Sequence, residues 1–254
     1  MDGEGKHLKE VKGFLIGVLG GCFGGLFGFG GGAVMIPLMT WLGRLSQHKA
    51  HGTSLAAIIF TAVVGAGTYF LHGAVDWKIA AILAASAILF ARFGALYAHS
   101  LSERKLRKAF GLFLSIVSVL VVLKGLLPGS GHPQSLWANL LIFLSTGAGA
   151  GFLAGMMGVG GGIVMIPPMV LLAGMSQHLA QGTSLLAMIP ASVSGALTHY
   201  RLGNVQTDLL WGLLSGAVIG GYLGGTVANL LPELYLRFIF CGVLIAMGLR
   251  YVRG

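Results

Sequence analysis

The sequence predicts an all-α polytopic membrane protein made of two copies of one unit, and three observations predict it. Of its 254 residues 56% are apolar and only 9% charged, where a soluble domain carries about 25% charged residues. Apolar stretches of the ~20 residues that cross a hydrocarbon core recur between short charged clusters. The chain also repeats itself at a fixed offset, the signature to look for before any other.

The repeat is exact enough to align without gaps. The stretch from Gly28 to Pro37, GFGGGAVMIP, reappears from Gly158 to Pro167 as GVGGGIVMIP, and Ser46 to Leu55, SQHKAHGTSL, reappears from Ser176 to Leu185 as SQHLAQGTSL. Each match has eight identities in ten positions at an offset of 130 residues, and the same offset pairs Gly73 with Gly203, Gly94 with Gly224 and Arg107 with Arg237. The organisation expected is a first transmembrane repeat over 1–127, a linker over 128–136 rich in Pro, Gly and Ser, and a second transmembrane repeat over 137–254.

Eight nominal transmembrane segments follow, at about 13–43, 52–72, 78–99 and 106–126, with counterparts at about 138–174, 182–202, 208–230 and 236–252. The first segment of each repeat is too long for one ordinary span and carries a glycine cluster near its middle. Four glycines in the five positions Gly28 to Gly32 interrupt a helix. Each long segment is therefore expected to be two short helical arms in a helix-turn-helix, with the broken backbone received by protein or by a water-filled cavity.

The formal charge of +9 would suggest nucleic acid in a soluble protein. Here Lys and Arg sit at the ends of apolar segments, so they set topology and no nucleic-acid partner is expected. If each long segment enters and returns on one side, or makes two short crossings, twelve cations gather on one face: Lys6, Lys9, Lys12, Arg44, Lys49, Arg104, Lys105, Arg107, Lys108, Arg201, Arg250 and Arg253. Only Lys78, Lys124 and Arg237 then lie toward the other. That face is cytoplasmic by the positive-inside rule, the N-terminus lies there, and the two repeats are inverted copies. The polar start with Lys6, Lys9 and Lys12 resembles a signal peptide, but no A-x-A-like site follows it, so the first segment is expected to remain as a span.

Small residues line two helices at a spacing of four, Gly13, Gly17, Gly21 and Gly25 and again Gly212, Gly216, Gly220 and Gly224. They let helices approach backbone to backbone, within one subunit or across a homodimer. Cys22 and Cys241 lack CxxC spacing and read as small buried hydrophobes.

Chemistry is expected where the helices restart. Helices beginning just after the glycines present unpaired amides and positive dipole ends to the break, which suits an anion. Gly31, Gly32, Gly161 and Gly162 are the leading candidates, acting through backbone N–H; the plainer reading is that they serve tight turns and packing. Thr53 and Ser54, with Thr183 and Ser184, belong to Gly-Thr-Ser triplets at the starts of the following helices. Their hydroxyls either cap those helices or donate to a passing oxyanion. Gln47, His48, Gln177 and His178 occur in both copies, as interfacial residues or as a proton-carrying pair. Arg92 is the most interior charge; it either attracts anions or snorkels.

His48 and His51 have an H-x-x-H spacing, yet Gln181 replaces the second His in the other copy and no carboxylate is near, so no metal site is expected. Asp76, Glu103, Asp208 and Glu233 lie at segment edges, leaving no internal acid for a cation. The glycine cluster lacks the strand and βαβ unit of a dinucleotide loop, and no Walker motif is present, so no cofactor is expected.

The doubled Gly-x-Gly-Gly-Gly…Pro and Gly-Thr-Ser pattern resembles the sulfite exporter TauE/SafE family of bacterial membrane proteins, over about 13–252. The resemblance implies a secondary transporter, an exporter or permease of small sulfur-containing or organic anions, in a bacterial inner membrane. The expectation is alternating access at a midplane site between the two broken helices; the alternatives are an anion channel and a membrane-embedded enzyme, the last lacking any clustered acid, base, metal set or nucleophile.

Overall fold

The computed structural model describes residues 2–102 and 136–236, together with 104, 105, 108, 112, 116, 238, 239 and 242. Most of the expected segments 106–126 and 236–252, most of the linker and Cys241 lie outside the described residues. Within them the chain is helical, without strands: α1 (Asp2–Phe27), α2 (Gly32–Trp41), α3 (Gln47–Leu71), α4 (Trp77–Ser100), α5 (Leu136–Met157), α6 (Gly162–Leu171), α7 (Gln177–Arg201), a 3-10 turn (Thr207–Leu209) and α8 (Leu210–Leu230).

Five helices are long and apolar enough to cross a membrane: α1 from Leu8, α3, α4, α5 from Trp137, and α8 with its 3-10 turn. α7 is 25 residues long, as α3 is. It falls short in apolarity because Ser192, Ser194, His199 and Arg201 stand where α3 has Ala62, Val64, Tyr69 and Leu71.

Both long segments break at the glycines, though not into two short arms. α1 runs 26 residues and α5 22, while α2 and α6 have ten each, about 15 Å at 1.5 Å per residue. The polar residues ahead of Gly13 continue the helix, so the first arm is a full-length helix and only the second is short. α2 folds back along α1: Gly20 packs on Met35, and Gly24 on Gly30 and Gly31. Both ends of this hairpin reach one end of the bundle. Lys9 Nζ pairs with Asp208 at 3.2 Å, and Lys49 Nζ, at the start of α3, donates to Gln206 at 3.3 Å.

The two halves interlock. α1 packs on α8 and α4 on α5. Gly17, Gly21 and Gly25 meet the backbones of Leu213, Ala217 and Gly221; 130 residues on, Gly147, Gly151 and Gly155 meet Leu83, Ala87 and Ala91. On the opposing helix Gly212, Gly216, Gly220 and Gly224 face Glu10, Phe14, Val18 and Cys22. Both glycine ladders read from the sequence thus lie in one seam, consumed within the chain. Cys22 sits half-buried in that seam.

The outer surface is apolar. Leu15, Leu19, Phe60, Val63, Leu89, Phe93, Leu141, Leu197 and Ile219 are exposed. The four tryptophans, Trp41, Trp77, Trp137 and Trp211, stand at or one residue from helix ends and are 66–75% exposed. Amphipathic rings at such positions mark the level of lipid headgroups.

Candidate functional site

The two glycine breaks meet inside the bundle. Gly28, Gly30 and Gly31 have φ of 73°, 81° and 88°, and Gly158, Gly160 and Gly161 have 65°, 90° and 85°. Side chains rarely adopt this left-handed region, so the backbone path itself demands these glycines. Gly31 and Gly161 are the N-terminal boundary residues of α2 and α6, with no side-chain cap. Their carbonyls accept the first helical bonds, from Val34 and Met35 and from Val164 and Met165, at 2.9–3.0 Å. The amides of Gly32, Ala33, Gly162 and Ile163 precede any intrahelical carbonyl. A Cβ on Gly32 would strike Gly158 O, and one on Gly162 would strike Gly28 O. Gly32 and Gly162 thus each touch the break of the other half, whereas Gly31 faces Gly20 and Gly161 faces Ala150 within their own halves.

Each break is held by the other half. Ser54 Oγ donates to Gly158 O at 2.6 Å, and Ser184 Oγ to Gly28 O at 2.7 Å. Thr53 Oγ1 accepts from Gln206 N–H and Thr183 Oγ1 from Asp76 N–H, both at 2.9 Å. Gly52 and Gly182 leave room for the carbonyls of Asn204 and Ala74. Helix capping, the plainer role read for these hydroxyls, falls instead to Ser46 and Ser176, which accept from Lys49 N–H and Leu179 N–H. The triplets lie a turn and a half inside α3 and α7, where their hydroxyls reach the opposite repeat.

The Gln-His pairs occupy the first turns of α3 and α7, away from the breaks. His48 Nε2 lies 3.1 Å from the carbonyls of Ala98 and Leu101, and His178 Nε2 lies 3.0 Å from Ala228 O. Both rings thus bond carbonyls at the ends of α4 and α8. Gln47 Oε1 is 3.2 Å from His51 Nε2, and the N–H of Gln177 donates to Glu233 at 2.9 Å. Arg92 is exposed on α4, while Ala91, Gly94 and Ala95 on the same helix are buried. Among the described residues no three His, Cys, Asp or Glu side chains converge on a metal-sized site.

Two apolar side chains at equivalent positions cover the breaks. Ile58 lies against Gly30, Gly32 and Gly160; Met188 lies against Gly160, and its sulfur accepts the Gly162 N–H at 3.2 Å. The void beside Gly161, among Leu153, Ala154, Val159, Ile163 and Val164, does not admit a water-sized sphere. The breaks are closely packed in this conformation.

One polar group here was not singled out from the sequence. Gln181 is fully buried and its Cα, Cβ and Cγ pack on Gly28. Its Oε1 takes the Tyr69 hydroxyl at 2.9 Å, and its Nε2 has no partner among the described residues. A buried amide nitrogen left unbonded costs about 1–3 kcal/mol. In the sequence Gln181 registered only as the residue replacing His51.

Apolar helices with tryptophans at their ends, wrapped round a pair of glycine-broken hairpins, define a multi-pass α-helical membrane protein. Residues 13–251 match the family described as Sulfite exporter TauE/SafE. The chain belongs to that family. It is 27% identical to the "Probable membrane transporter protein YunE" of Bacillus subtilis, over 94% of this chain and 95% of that protein. It is 30% identical to the "Probable membrane transporter protein YdhB" of the same organism, over 88% and 91%. A protein of Methanocaldococcus jannaschii, also named a probable membrane transporter, is 27% identical over 95% of this chain and 93% of its own. No solved structure matches the chain.

Proposed function

We propose that the chain is a secondary transporter, an exporter or permease, of a small anion such as sulfite or another sulfur oxyanion or organosulfonate. It works by alternating access at a midplane site between the two broken helices. The observation that carries this reading is the mutual contact of the breaks, Gly32 against Gly158 O and Gly162 against Gly28 O. There the N-terminal end of each short helix, its positive dipole end, lies against the break of the other half. The carbonyls that would oppose them, Gly28 O and Gly158 O, are each taken by a serine hydroxyl. The unpaired Nε2 of Gln181 adds a donor at the same level. A negative charge is the partner that such donors lack.

The Met188 sulfur on the Gly162 amide holds the place of an acceptor, so an anion enters by displacing it. Inverted repeats suit this task, because exchanging the conformations of two equivalent halves opens the site to one face and then the other. The inverted reading is supported by the reciprocal contacts: α1 and α3 begin at one end of the bundle, with Lys9, Arg44 and Lys49, whereas Asp76 and Lys78 at the start of α4 lie beside Thr183 near the start of α7. With the cation-rich end cytoplasmic, the N-terminus is inside and the protein sits in a bacterial inner membrane.

Purified protein in liposomes tests the reading through uptake of sulfite, thiosulfate and sulfoacetate. Mutual competition among them and acceleration by anion on the opposite side are expected. Uptake that only a cation inhibits overturns the anion assignment, and uptake without trans-acceleration identifies a channel.

A further inference from the structure

The interlocked halves are alike in backbone but not in the polar groups that run from the helix ends toward the breaks. At the cation-rich end His51, His199, His99 and Asn204 gather with His48; 130 residues away the same places hold Gln181, Tyr69, Asn229, Ala74 and His178. In these matched places one end therefore carries four imidazoles and the other one; His72, at the C-terminus of α3 on that other end, is exposed and bonds the carbonyl of Thr68 at 2.8 Å. The fold does not demand this, since Tyr69 OH at 3.2 Å from Gly25 O makes the contact that His199 Nε2 makes with Gly155 O at 2.9 Å.

The imidazoles form a graded path. His51 and His199 are fully buried, Asn204 is 8% exposed, His48 is half-buried and His99 is exposed. At the inner end the backbone of His51 packs on Gly158, and His199 bonds the carbonyl of Gly155 one turn before that break. A carbonyl only accepts, so Nε2 of His199 carries its hydrogen and the lone pair of neutral His199 is on Nδ1. The Asn204 amide nitrogen stands 3.5 Å from that Nδ1 and 3.5 Å from Nδ1 of His99, with one hydrogen for each ring. The His48 and His99 rings meet edge to face at 6.3 Å.

Lys9 is paired with Asp208, Lys49 is held by Gln206, and Arg44, Arg104, Lys105 and Arg201 are exposed; Glu10 is half-buried on α1. α2, α5 and α6 contribute no ionisable side chain at all. The ring nitrogens meet the carbonyls of Ala98, Leu101 and Gly155, the Gln47 side chain and the Asn204 amide.

We infer that the His199–Asn204–His99 chain, with His51 and His48 beside it, is a proton-binding site that couples proton movement to the transport proposed above, on which the coupling rests. A proton arriving from the cation-rich face by way of His99 adds to the lone pair on His199 Nδ1. Asn204 then turns its amide through half a rotation, so that Oδ1 accepts from the new N–H. The second break, bonded through Gly155 and packed on His51, is the element that feels the added charge. The first break, beside Gln181 and Tyr69, has no such site, so loading and release belong to one face.

The test substitutes the groups that the fold already accepts at the other end, H51Q with H199Y. Liposomes containing a pH dye receive a thiosulfate gradient with no pH gradient and a clamped voltage; thiosulfate has no group titrating near neutrality. In the unaltered protein the lumen pH is expected to change, with its sign reversed when the gradient is reversed. In the double variant the pH change is expected to vanish while thiosulfate counterflow stays within about twofold, since a group that only titrates is not needed for exchange. Equal proton movement in both proteins overturns the proposal. Absence of thiosulfate counterflow in the unaltered protein speaks against the anion reading instead. In that event 15N-histidine NMR of the membrane-embedded protein decides the proton site alone. The resonance missing from H199Y is expected to turn cationic on acidification and to shift its midpoint by about one pH unit in N204A; a His199 that stays neutral down to about pH 4 overturns it.

Discussion

Ser54 reaches across 104 residues of sequence to bond the carbonyl of Gly158 at 2.6 Å, and Ser184 reaches Gly28 in the same way at 2.7 Å. Each hydroxyl also lies 2.8 Å from a carbonyl of its own helix, that of His51 or Gln181. With one hydrogen to give, the shorter bond runs to the other half. Replacing either serine by alanine leaves a buried carbonyl without its partner, and S54A and S184A are each expected to lower stability by about 1–2 kcal/mol. Unfolding in mixed micelles measures the loss; no change in either variant shows that these bonds do not hold the breaks.

The glycines of α5 divide into two kinds. A Cβ on Gly151 would overlap the backbone of Ala87, whereas one on Gly149 meets nothing. G151A is expected to force α4 and α5 apart at a cost of about 1–3 kcal/mol. G149A is expected to gain up to about 1 kcal/mol, because glycine is a poor helix residue where no close contact requires it. Thermal unfolding of the pair distinguishes packing from conformational freedom.

Arg44 carries φ of 52°, while its counterpart Gly174 has 67°. The turn after the short helix needs a left-handed residue in both halves, and only the second has a glycine there. R44G is expected to stabilise the fold by about 1 kcal/mol, since the side chain is exposed and the strain costs about 1–2 kcal/mol. A lower unfolding midpoint in R44G contradicts this.

Met188 supplies both volume and an acceptor at the second break. M188L keeps the volume and removes the sulfur that holds the Gly162 N–H, so KM for sulfite uptake is expected to fall severalfold while stability changes by less than about 1.5 kcal/mol. Gln181 gives the opposite expectation. Q181L deletes the unpaired donor, and kcat/KM should fall by about tenfold or more.

Orientation is open to chemical labelling. In a background with Cys22 and Cys241 replaced by alanine, single cysteines at Arg44 and Gly174, both exposed, are expected to react with an impermeant maleimide from opposite sides of the membrane. Reaction from the same side refutes inverted repeats.

Much of the architecture was legible in the residues because the repeat preserves what the backbone most needs. Four left-handed or closely packed glycines in a row of five can hardly be anything but a break, and their recurrence at Gly158 made a pair. The lengths of the arms were less legible, since polarity ahead of Gly13 suggested a boundary where the helix runs on. The role of the Gly-Thr-Ser triplets could not be read locally. A hydroxyl near a helix start has a ready function as a cap, while the carbonyls these hydroxyls actually bond lie in the other half of the chain. His199 was hidden for a similar reason: its counterpart is Tyr69, and only the fold shows two such different side chains performing the same contact. The span of α7 was weakened in hydropathy by polar groups, among them Ser192 and His199, that are fully buried.

The pairing of α1 with α8 has a consequence for biogenesis. α1 finds its neighbour in the last of the described helices, so its row of glycines must wait in the bilayer without a mate while the six helices between them are made. A ribosome stalled midway would leave that seam bare and open to any helix with small residues. Arrival of α8 therefore closes the molecule on itself as a clasp does.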